Sequence, residues 1–211
     1  MQINNQLLIL KMSFRIEEKL LIKNLQIIQF KEYLFKNNAK ILFPEREISS
    51  LYFDNLTADM YKDSVEGTTP RKKIRIRHYP NNNNKSLYLE TKISSIEGRF
   101  KKSSIIDDVK YSEFKNIGFF DKQYGVCKPT IYVSYQREYF QINDVRIVID
   151  QNINYKHFLK NILENDNSSI VEIKTHFNKN KDDLINEFPF QRIRFSKYCN
   201  GYNKLYNQNH Q

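Results

Sequence analysis

The chain has 211 residues, of which 40% are hydrophobic and 27% are charged, with 34 Lys and Arg against 24 Asp and Glu. This composition indicates a soluble globular protein with a substantial core, and no apolar stretch approaches the roughly 20 residues that span a bilayer, which argues against a transmembrane protein. The formal charge of +10 favours a polyanionic partner, namely nucleic acid, an anionic membrane surface or a phosphorylated small molecule.

The N-terminal segment and the two cysteines indicate where in the cell the protein is expected. The apolar run at residues 7–10 has no basic region before it and no small-residue cleavage site after it, so it does not predict a signal peptide. Cys127 and Cys199 are far apart and form no CxxC pair, so we expect reduced thiols in a cytoplasmic protein. Residues 1–12 and 207–211 are expected to be mobile ends.

The spacing of apolar residues predicts mainly strands. An amphipathic helix is predicted at 24–37, with shorter helices at 111–119 and 181–187. Strands are predicted at 48–54, 71–77, 86–92, 99–105, 131–140, 145–150 and 169–176. No linker rich in Pro, Gly or Ser interrupts the chain and no repeat is visible, so residues 13–206 are predicted to form one domain.

The predicted strand at 71–77 carries cations at alternate positions. An extended chain places Arg71, Lys73, Arg75 and Arg77 on one face, with isoleucines on the other. Such a row suits linked phosphates, because it offers charge-assisted hydrogen bonds at the spacing of a strand. By itself the pattern favours the solvent-exposed face of an antiparallel sheet.

The same alternation recurs in other predicted strands and favours an ionic interior. Tyr135 and Arg137 share a face, as do Arg146 and Asp150, and basic residues are repeatedly accompanied by a carboxylate. The fold class predicted from this pattern is α+β. Its centre is a closed antiparallel β-barrel with apolar residues facing outward to flanking helices and charged residues lining a wet tunnel. Buried charges of this kind need partners or a ligand.

Nine segments, in order, resemble the VTC domain of polyphosphate polymerases, within the wider CYTH-like, triphosphate tunnel metalloenzyme superfamily. They are RIEEK at 15–19, SLYFD at 50–54, YKDSVEG at 61–67, RKKIRIR at 71–77, LETK at 89–92, SYQRE at 134–138, VRIVID at 145–150, VEIK at 171–174 and FSKY at 195–198. Each segment alone is weak evidence, whereas nine in order are specific.

The resemblance implies a metal-dependent enzyme that transfers the γ-phosphate of ATP to a growing polyphosphate chain. It implies that the phosphates are bound by Lys19, Arg75, Arg77, Lys92, Tyr135, Arg137, Lys174, Ser196 and Lys197. Among these, Arg75, Arg77, Lys92 and Arg137 are the implied catalytic residues. Glu172 is the implied ligand of Mn²⁺ or Mg²⁺, with Glu17 and Glu90 second. Lys101 or Lys102 would supply another family lysine.

The sequence departs from the superfamily at one position. Arg15 stands where the first glutamate of the Glu-x-Glu-x-Lys pattern is expected, so one metal-site carboxylate is missing. This weakens a two-metal triphosphatase, because activating water asks more of a metal site than aligning two phosphates.

The alternatives that stay open are an inorganic triphosphatase and a non-catalytic polyphosphate-binding domain. Binding of single-stranded nucleic acid is disfavoured, because stacking aromatics do not interleave with the cations of the 71–77 strand.

Overall fold

A computed structural model describes residues 11–12, 15–81, 86–176, 188 and 190–207. Its strands are β1 (Lys11–Met12), β2 (Arg15–Lys23), β3 (Lys40–Asp54), β4 (Arg71–His78), β5 (Leu87–Ser95), β6 (Gly98–Ile106), β7 (Phe119–Asp121), β8 (Gly125–Ile142), β9 (Val145–His157), β10 (Leu163–Asn165) and β11 (Ser168–His176). Its α-helices are α1 (Ile27–Lys36), α2 (Asp59–Glu66), α3 (Asp108–Asn116) and α4 (Lys197–Tyr202). A 3-10 turn at Asn24–Gln26 precedes α1, and a π-helical turn at Asn203–Asn207 follows α4.

The predicted strands are all present, and the helix predicted at 24–37 consists of the 3-10 turn and α1. The helix predicted at 111–119 begins earlier, at Asp108, because Asp107 caps it: Asp107 Oδ1 accepts a hydrogen bond from the backbone N–H of Lys110 at 2.7 Å. It ends ahead of Gly118, whose φ of +87° is left-handed. The helix predicted at 181–187 lies outside the described residues, as do most of the ends that we expect to be mobile.

The strands form one antiparallel sheet that is not closed by hydrogen bonds. Its order is β1-β6-β5-β4-β3-β8-β9-β11-β2, with β10 beside β9 and β7 beside β8. The predicted closed barrel is therefore wrong in this respect, since no ladder joins the edge strands β1 and β2 within the described ranges. The two ends of the sheet nevertheless approach each other. Arg99 Nη1 on β6, the neighbour of the edge strand β1, lies 3.4 Å from Glu17 Oε2 on β2. The sheet curls until it encloses one face, here called the inner face.

Apolar side chains occupy the opposite, outer face beneath α1. Phe30 and Leu34 of α1 are fully buried there. The strand residues packed in the same cluster include Leu20, Ile22, Ile147, Ile149, Val171 and Ile173. Each such side chain contributes roughly 1.5–3 kcal/mol by leaving water. This packing confirms the expectation of apolar residues facing outward to a helix, and it leaves the alternate, polar residues on the inner face.

Helix α4 packs against the inner face where β3 ends. The ring of Tyr198 stacks on that of Tyr52, with centroids 5.1 Å apart, and its hydroxyl donates to Asp54 Oδ2 at 2.6 Å. Asp54 also accepts hydrogen bonds from the backbone N–H groups of Met60 and Tyr61 at the start of α2. The side chain of Asp54 therefore joins the two helices to the sheet.

The close approach of α4 to the sheet depends on Gly201. A Cβ at this position would lie 2.4 Å from Tyr155 Cδ1 and 2.9 Å from Ile131 Cδ1. We expect Gly201→Ala to reduce the free energy of unfolding by about 1–3 kcal/mol, because the packed rings must shift. Urea unfolding would measure the change, and Asn200→Ala, in the same helix, should alter it by no more than about 0.5 kcal/mol. Equal stability of Gly201→Ala and the native protein would contradict this account.

Among the described residues, no helix is both long enough and apolar enough to cross a membrane.

Candidate functional site

The inner face of β4 and β5 carries a buried ionic cluster around Glu90. Glu90 Oε2 accepts from Arg75 at 2.8 Å (Nε) and lies 2.7 Å from its Nη2, while Oε1 lies 2.5 Å from Lys101 Nζ and 3.7 Å from Arg77 Nη1. Arg75 also donates to the hydroxyl of Tyr52 at 2.8 Å. Burial alone would raise the pKa of Glu90, but Arg75, Arg77 and Lys101 hold it well below its ordinary value. Glu90 is therefore ionised and fixes three cations.

A second cluster lies on β8, β9 and β11, around Asp150. This carboxylate is fully buried and accepts from Arg137 at 2.5 Å (Nε) and 2.7 Å (Nη2), and from Lys197 Nζ. Burial opposes its ionisation, but Arg137 and then Lys197 keep the pKa of Asp150 below its ordinary value. Arg137 and Lys197 also face Tyr135, with Arg137 Cζ 5.3 Å and Lys197 Nζ 4.5 Å from the centre of its ring.

Glu172 on β11 extends the second cluster. Lys174 Nζ lies 2.9 Å from its Oε2, Arg137 Nη2 lies 3.7 Å from the same oxygen, and Lys19 Nζ lies 3.8 Å from Oε1. Burial opposes ionisation, but Lys174, Arg137 and Lys19 hold the pKa of Glu172 well below its ordinary value. The single negative charge of Glu172 cannot balance all of these cations, so the inner face keeps a net positive charge.

Three lysines stand in a row across neighbouring strands. Lys73 on β4 is directly opposite Lys92 on β5, and Lys92 is opposite Lys101 on β6. Opposed like charges destabilise a sheet, so the row favours a bound anion. Lys101 is paired with Glu90, whereas Lys73 and Lys92 form no ion pair within the described part of the chain.

The surroundings of Lys92 show that the inner face encloses a hollow. Burial, followed by the charge of Arg75, lowers the pKa of Lys92 well below its ordinary value. Its side chain is nevertheless accessible to water. Lys92 shares the inner face with Glu90, so its access to water indicates space on the concave side of the curled sheet. Glu172 and Glu17, on the far side of the sheet order, act on Lys92 across this space.

The structure brings most of the residues that we predicted to bind phosphate onto this one face. Together with their partners they are named the charged interior, which comprises Glu17, Lys19, Lys73, Arg75, Arg77, Glu90, Lys92, Lys101, Arg137, Asp150, Glu172, Lys174 and Lys197. Tyr135 lies among them, and its hydroxyl accepts from Arg77 Nη2 at 3.4 Å. Cations outnumber carboxylates in this set.

Ser196 has a local structural role. Its Oγ accepts from the backbone N–H of Cys199 at 3.4 Å and caps the first turn of α4. The cap orients the next residue, Lys197, toward Asp150. A direct contact of Ser196 with phosphate stays a prediction.

The three carboxylates predicted to bind a metal are not brought together. Glu90 belongs to the first cluster, whereas Glu172 and Glu17 share the ammonium of Lys174, at 2.9 and 3.9 Å. The described residues contain no group of three or more His, Cys, Asp or Glu side chains that could hold a metal. The carboxylates of Glu172 and Glu17 can hold one cation between them, because the ammonium group of Lys174 already lies between them. The remaining ligands would have to be phosphate oxygens or water.

Two further residues lie on the faces that the alternation predicts, although neither was among the predicted site residues. Lys73 belongs to the alternating row of β4, and Asp150 ends the alternation that begins at Arg146. The signal for both was the period of two, which marks a shared face but not a partner. Tyr52, which accepts from Arg75, lay within a segment of the resemblance and had no assigned role either.

The family model described as "VTC domain" matches residues 14–206. No match is found among the curated proteins. Solved structures share the fold at low identity. PH1819 of Pyrococcus horikoshii OT3 aligns with a TM-score of 0.59 at 20% identity, over 90% of this chain and 99% of that one.

Two other structures are similar to a comparable degree. A proposed adenylate cyclase of Bacillus halodurans has a TM-score of 0.58 at 12% identity, over 87% of this chain and 96% of that one. HpAC1 of Hippeastrum, an adenylyl cyclase candidate described as having a dominant triphosphatase activity, has a TM-score of 0.53 at 14% identity, over 90% of this chain and 96% of that one. At these identities the likeness concerns the fold alone.

Proposed function

Because this chain belongs to the VTC domain family, we propose that it is an ATP-dependent polyphosphate polymerase acting in its charged interior. The observation that carries the proposal is the excess of cations on the inner face, where Lys73 and Lys92 form no ion pair with any described residue. Transfer of a phosphoryl group between two phosphate oxygens needs positioning and charge neutralisation rather than a protein nucleophile. The reaction would take place in the cytoplasm, where thiols such as that of Cys199 stay reduced.

Different residues of the charged interior would bind different phosphate oxygens. Arg75 and Arg77, held by Glu90, present guanidinium groups that can bind phosphate oxygens in a fixed orientation. Arg137 and Lys197, held by Asp150, offer a guanidinium and an ammonium group from β8 and α4. Lys92, on β5 beside Arg75 and Arg77, adds an ammonium group that has no ion pair among the described residues and can neutralise charge on the transferred phosphoryl group.

Glu172 and Glu17 are the residues that would hold Mn²⁺ or Mg²⁺. The ion, when bound, would neutralise charge on the phosphate oxygens. Lys174 would leave its place between these carboxylates and become available to a phosphate.

The assay that tests the proposal is incubation of the purified protein with ATP and Mn²⁺, followed by sizing of the phosphate products. A polymerase makes acid-labile polyphosphate chains while it consumes the γ-phosphate. Release of orthophosphate alone would instead identify a triphosphatase, the activity described for HpAC1 of Hippeastrum. Binding of tripolyphosphate without turnover would identify a non-catalytic polyphosphate-binding domain.

Two observations favour the polymerase over its alternatives. Arg15, not a carboxylate, stands opposite His176 in the register of β2 and β11, so the first strand supplies one carboxylate fewer for activating water. Arg75 and Arg77 are buried on the inner face, with 6% and 9% exposure. A linear phosphate chain can enter such a hollow, whereas a nucleic acid needs an open groove.

The proposal predicts that binding of phosphate depends on pH through Lys73. Burial, together with nearby Lys19 and Arg71, lowers the pKa of Lys73 to about 8. A bound phosphate favours the protonated form, so affinity for tripolyphosphate should fall by about tenfold as the pH rises from about 7 to about 9. Lys73→Arg keeps its charge and should show a smaller fall. Titration calorimetry would compare the two proteins, and parallel pH profiles would contradict a role for Lys73.

A further inference from the structure

Two arginines outside the charged interior stack on the same two aromatic rings. Arg46 Cζ lies 5.2 Å from the centre of the Phe43 ring and 5.6 Å from that of Tyr139. Arg146 Cζ lies 5.8 and 5.6 Å from the same two centres. The rings themselves meet edge to face, with centres 5.5 Å apart. Four side chains from β3, β8 and β9 therefore form one unit, here called the arginine stack.

The arginine stack continues the charged interior toward one end of the sheet. In the strand register, Arg46 is opposite Arg137, and Arg146 is opposite Lys174. Tyr139 follows Arg137 by two residues on the same face of β8, a step of about 7 Å. Helix α4 covers the inner face where β3 ends, so the arginine stack marks the opposite end, where β3 begins and β8 finishes.

The cations of the stack have no counter-charge of their own. Neither Arg46 nor Arg146 forms an ion pair with any residue that the structure describes, and Arg146 Nε is buried without a hydrogen-bond partner there. Glu45 and Glu47 line the same shallow cavity as Arg46, together with Tyr79 and Asn81, but neither glutamate pairs with it. Stacking uses the flat faces of a guanidinium group and leaves its N–H edges available. The unit therefore offers two guanidinium groups that form no ion pair within the described ranges.

We infer that the arginine stack is a second anion site, which holds the part of a linear polyphosphate that extends beyond the charged interior. The identity of this ligand rests on the proposed function. On this inference, a ligand of three phosphates would occupy the interior alone, whereas a longer chain would contact both. The stack therefore makes the protein discriminate phosphate chains by length, and it fixes the direction in which a long chain lies.

The test compares the binding of two ligands, tripolyphosphate and a long-chain polyphosphate, by titration calorimetry. The double variant Arg46→Ala/Arg146→Ala should bind long-chain polyphosphate about tenfold more weakly than the native protein does, because charge-assisted contacts are lost. Its affinity for tripolyphosphate should stay within about twofold of the native value. Lys128→Ala/Lys156→Ala is the matched control, since it removes two exposed cations from β8 and β9 outside the stack. This control should bind both ligands as the native protein does.

The outcomes separate the inference from the proposed function. If the native protein binds both ligands and the stack variant keeps its long-chain affinity, or loses affinity for both ligands equally, the inference is overturned and the proposed function stands. An equal loss in the control would also overturn it, because net charge would then explain the effect. If the native protein binds neither ligand, both fail. Selective long-chain binding without any polymerase activity would support the stack and refute the polymerase.

Discussion

Replacing Lys92 by alanine is expected to weaken tripolyphosphate binding roughly thirtyfold, the equivalent of about 2 kcal/mol for one charge-assisted hydrogen bond. Synthesis of polyphosphate should fall at least as far. The reason is the position of Lys92, which lies on the inner face, is accessible to water and forms no ion pair among the described residues. Because Lys92 has no ion-paired partner there, its removal should weaken ligand binding without weakening the fold.

The same substitution should leave the thermal unfolding temperature unchanged or slightly raised. Lys92 faces Arg75 and stands between Lys73 and Lys101, so its removal relieves repulsion between like charges. Lys102→Ala is the control, because Lys102 is exposed on the neighbouring strand β6 and should change neither binding nor stability. Unchanged tripolyphosphate affinity in Lys92→Ala would refute the phosphate-binding role of the charged interior. A loss of stability large enough to explain weaker binding would refute it as well.

Replacing Asp150 by asparagine is expected to cause a large loss of stability, in contrast to Lys92→Ala. Asp150 is fully buried and binds both Arg137 and Lys197. Removing its charge leaves two buried cations with only the longer contacts to Glu172, at 3.7 and 4.0 Å. Breaking a buried pair in this way costs about 3–5 kcal/mol, which would lower the unfolding temperature by about 6–20 °C in a domain of this size.

The pH dependence of stability gives a second readout for Asp150. Burial raises its pKa, but Arg137 and Lys197 lower it more, so the folded value lies below the ordinary 3.8. The resulting stabilisation is complete above the unfolded value and is lost as the pH falls through the folded one. Asp150→Asn should therefore lose stability at neutral pH and show a weaker further loss in acid.

A matched carboxylate-to-amide change serves as the control for Asp150. Glu138 on β8 pairs with Lys31 of α1 at 2.5 Å, and both side chains are partly exposed. Glu138→Gln should cost no more than about 1 kcal/mol, because exposed pairs gain little over water. Urea unfolding at several pH values would measure all three proteins. If Asp150→Asn costs as little stability as Glu138→Gln does, the ion pairs of Asp150 do not stabilise the packing of β8, β9 and α4.

The sequence predicted the strands and their faces well because a strand has a period of two. The alternation of Arg75 and Arg77 with isoleucines needed only an extended chain to separate charge from core. Helix bounds were predicted less well, since α3 begins where Asp107 can cap it, a signal that the apolar spacing does not contain. Closure of the barrel could not be predicted either, because hydrogen bonding between the edges depends on how far the whole sheet curls.

The family, the α+β class and the set of cations that share a face follow from local pattern and from the order of the motifs, so they can be read from the amino-acid sequence. Which of these cations are free to bind a ligand depends on how the segments pack in three dimensions. Asp150, Arg137 and Lys197 come from two strands and a distant helix, and they meet because α4 packs onto the curled sheet. The same folding leaves Lys92 without an ion-paired carboxylate among the described residues. Ion pairing depends on distances of a few ångströms between segments far apart in the chain, and the spacing of residues along a strand does not fix such distances.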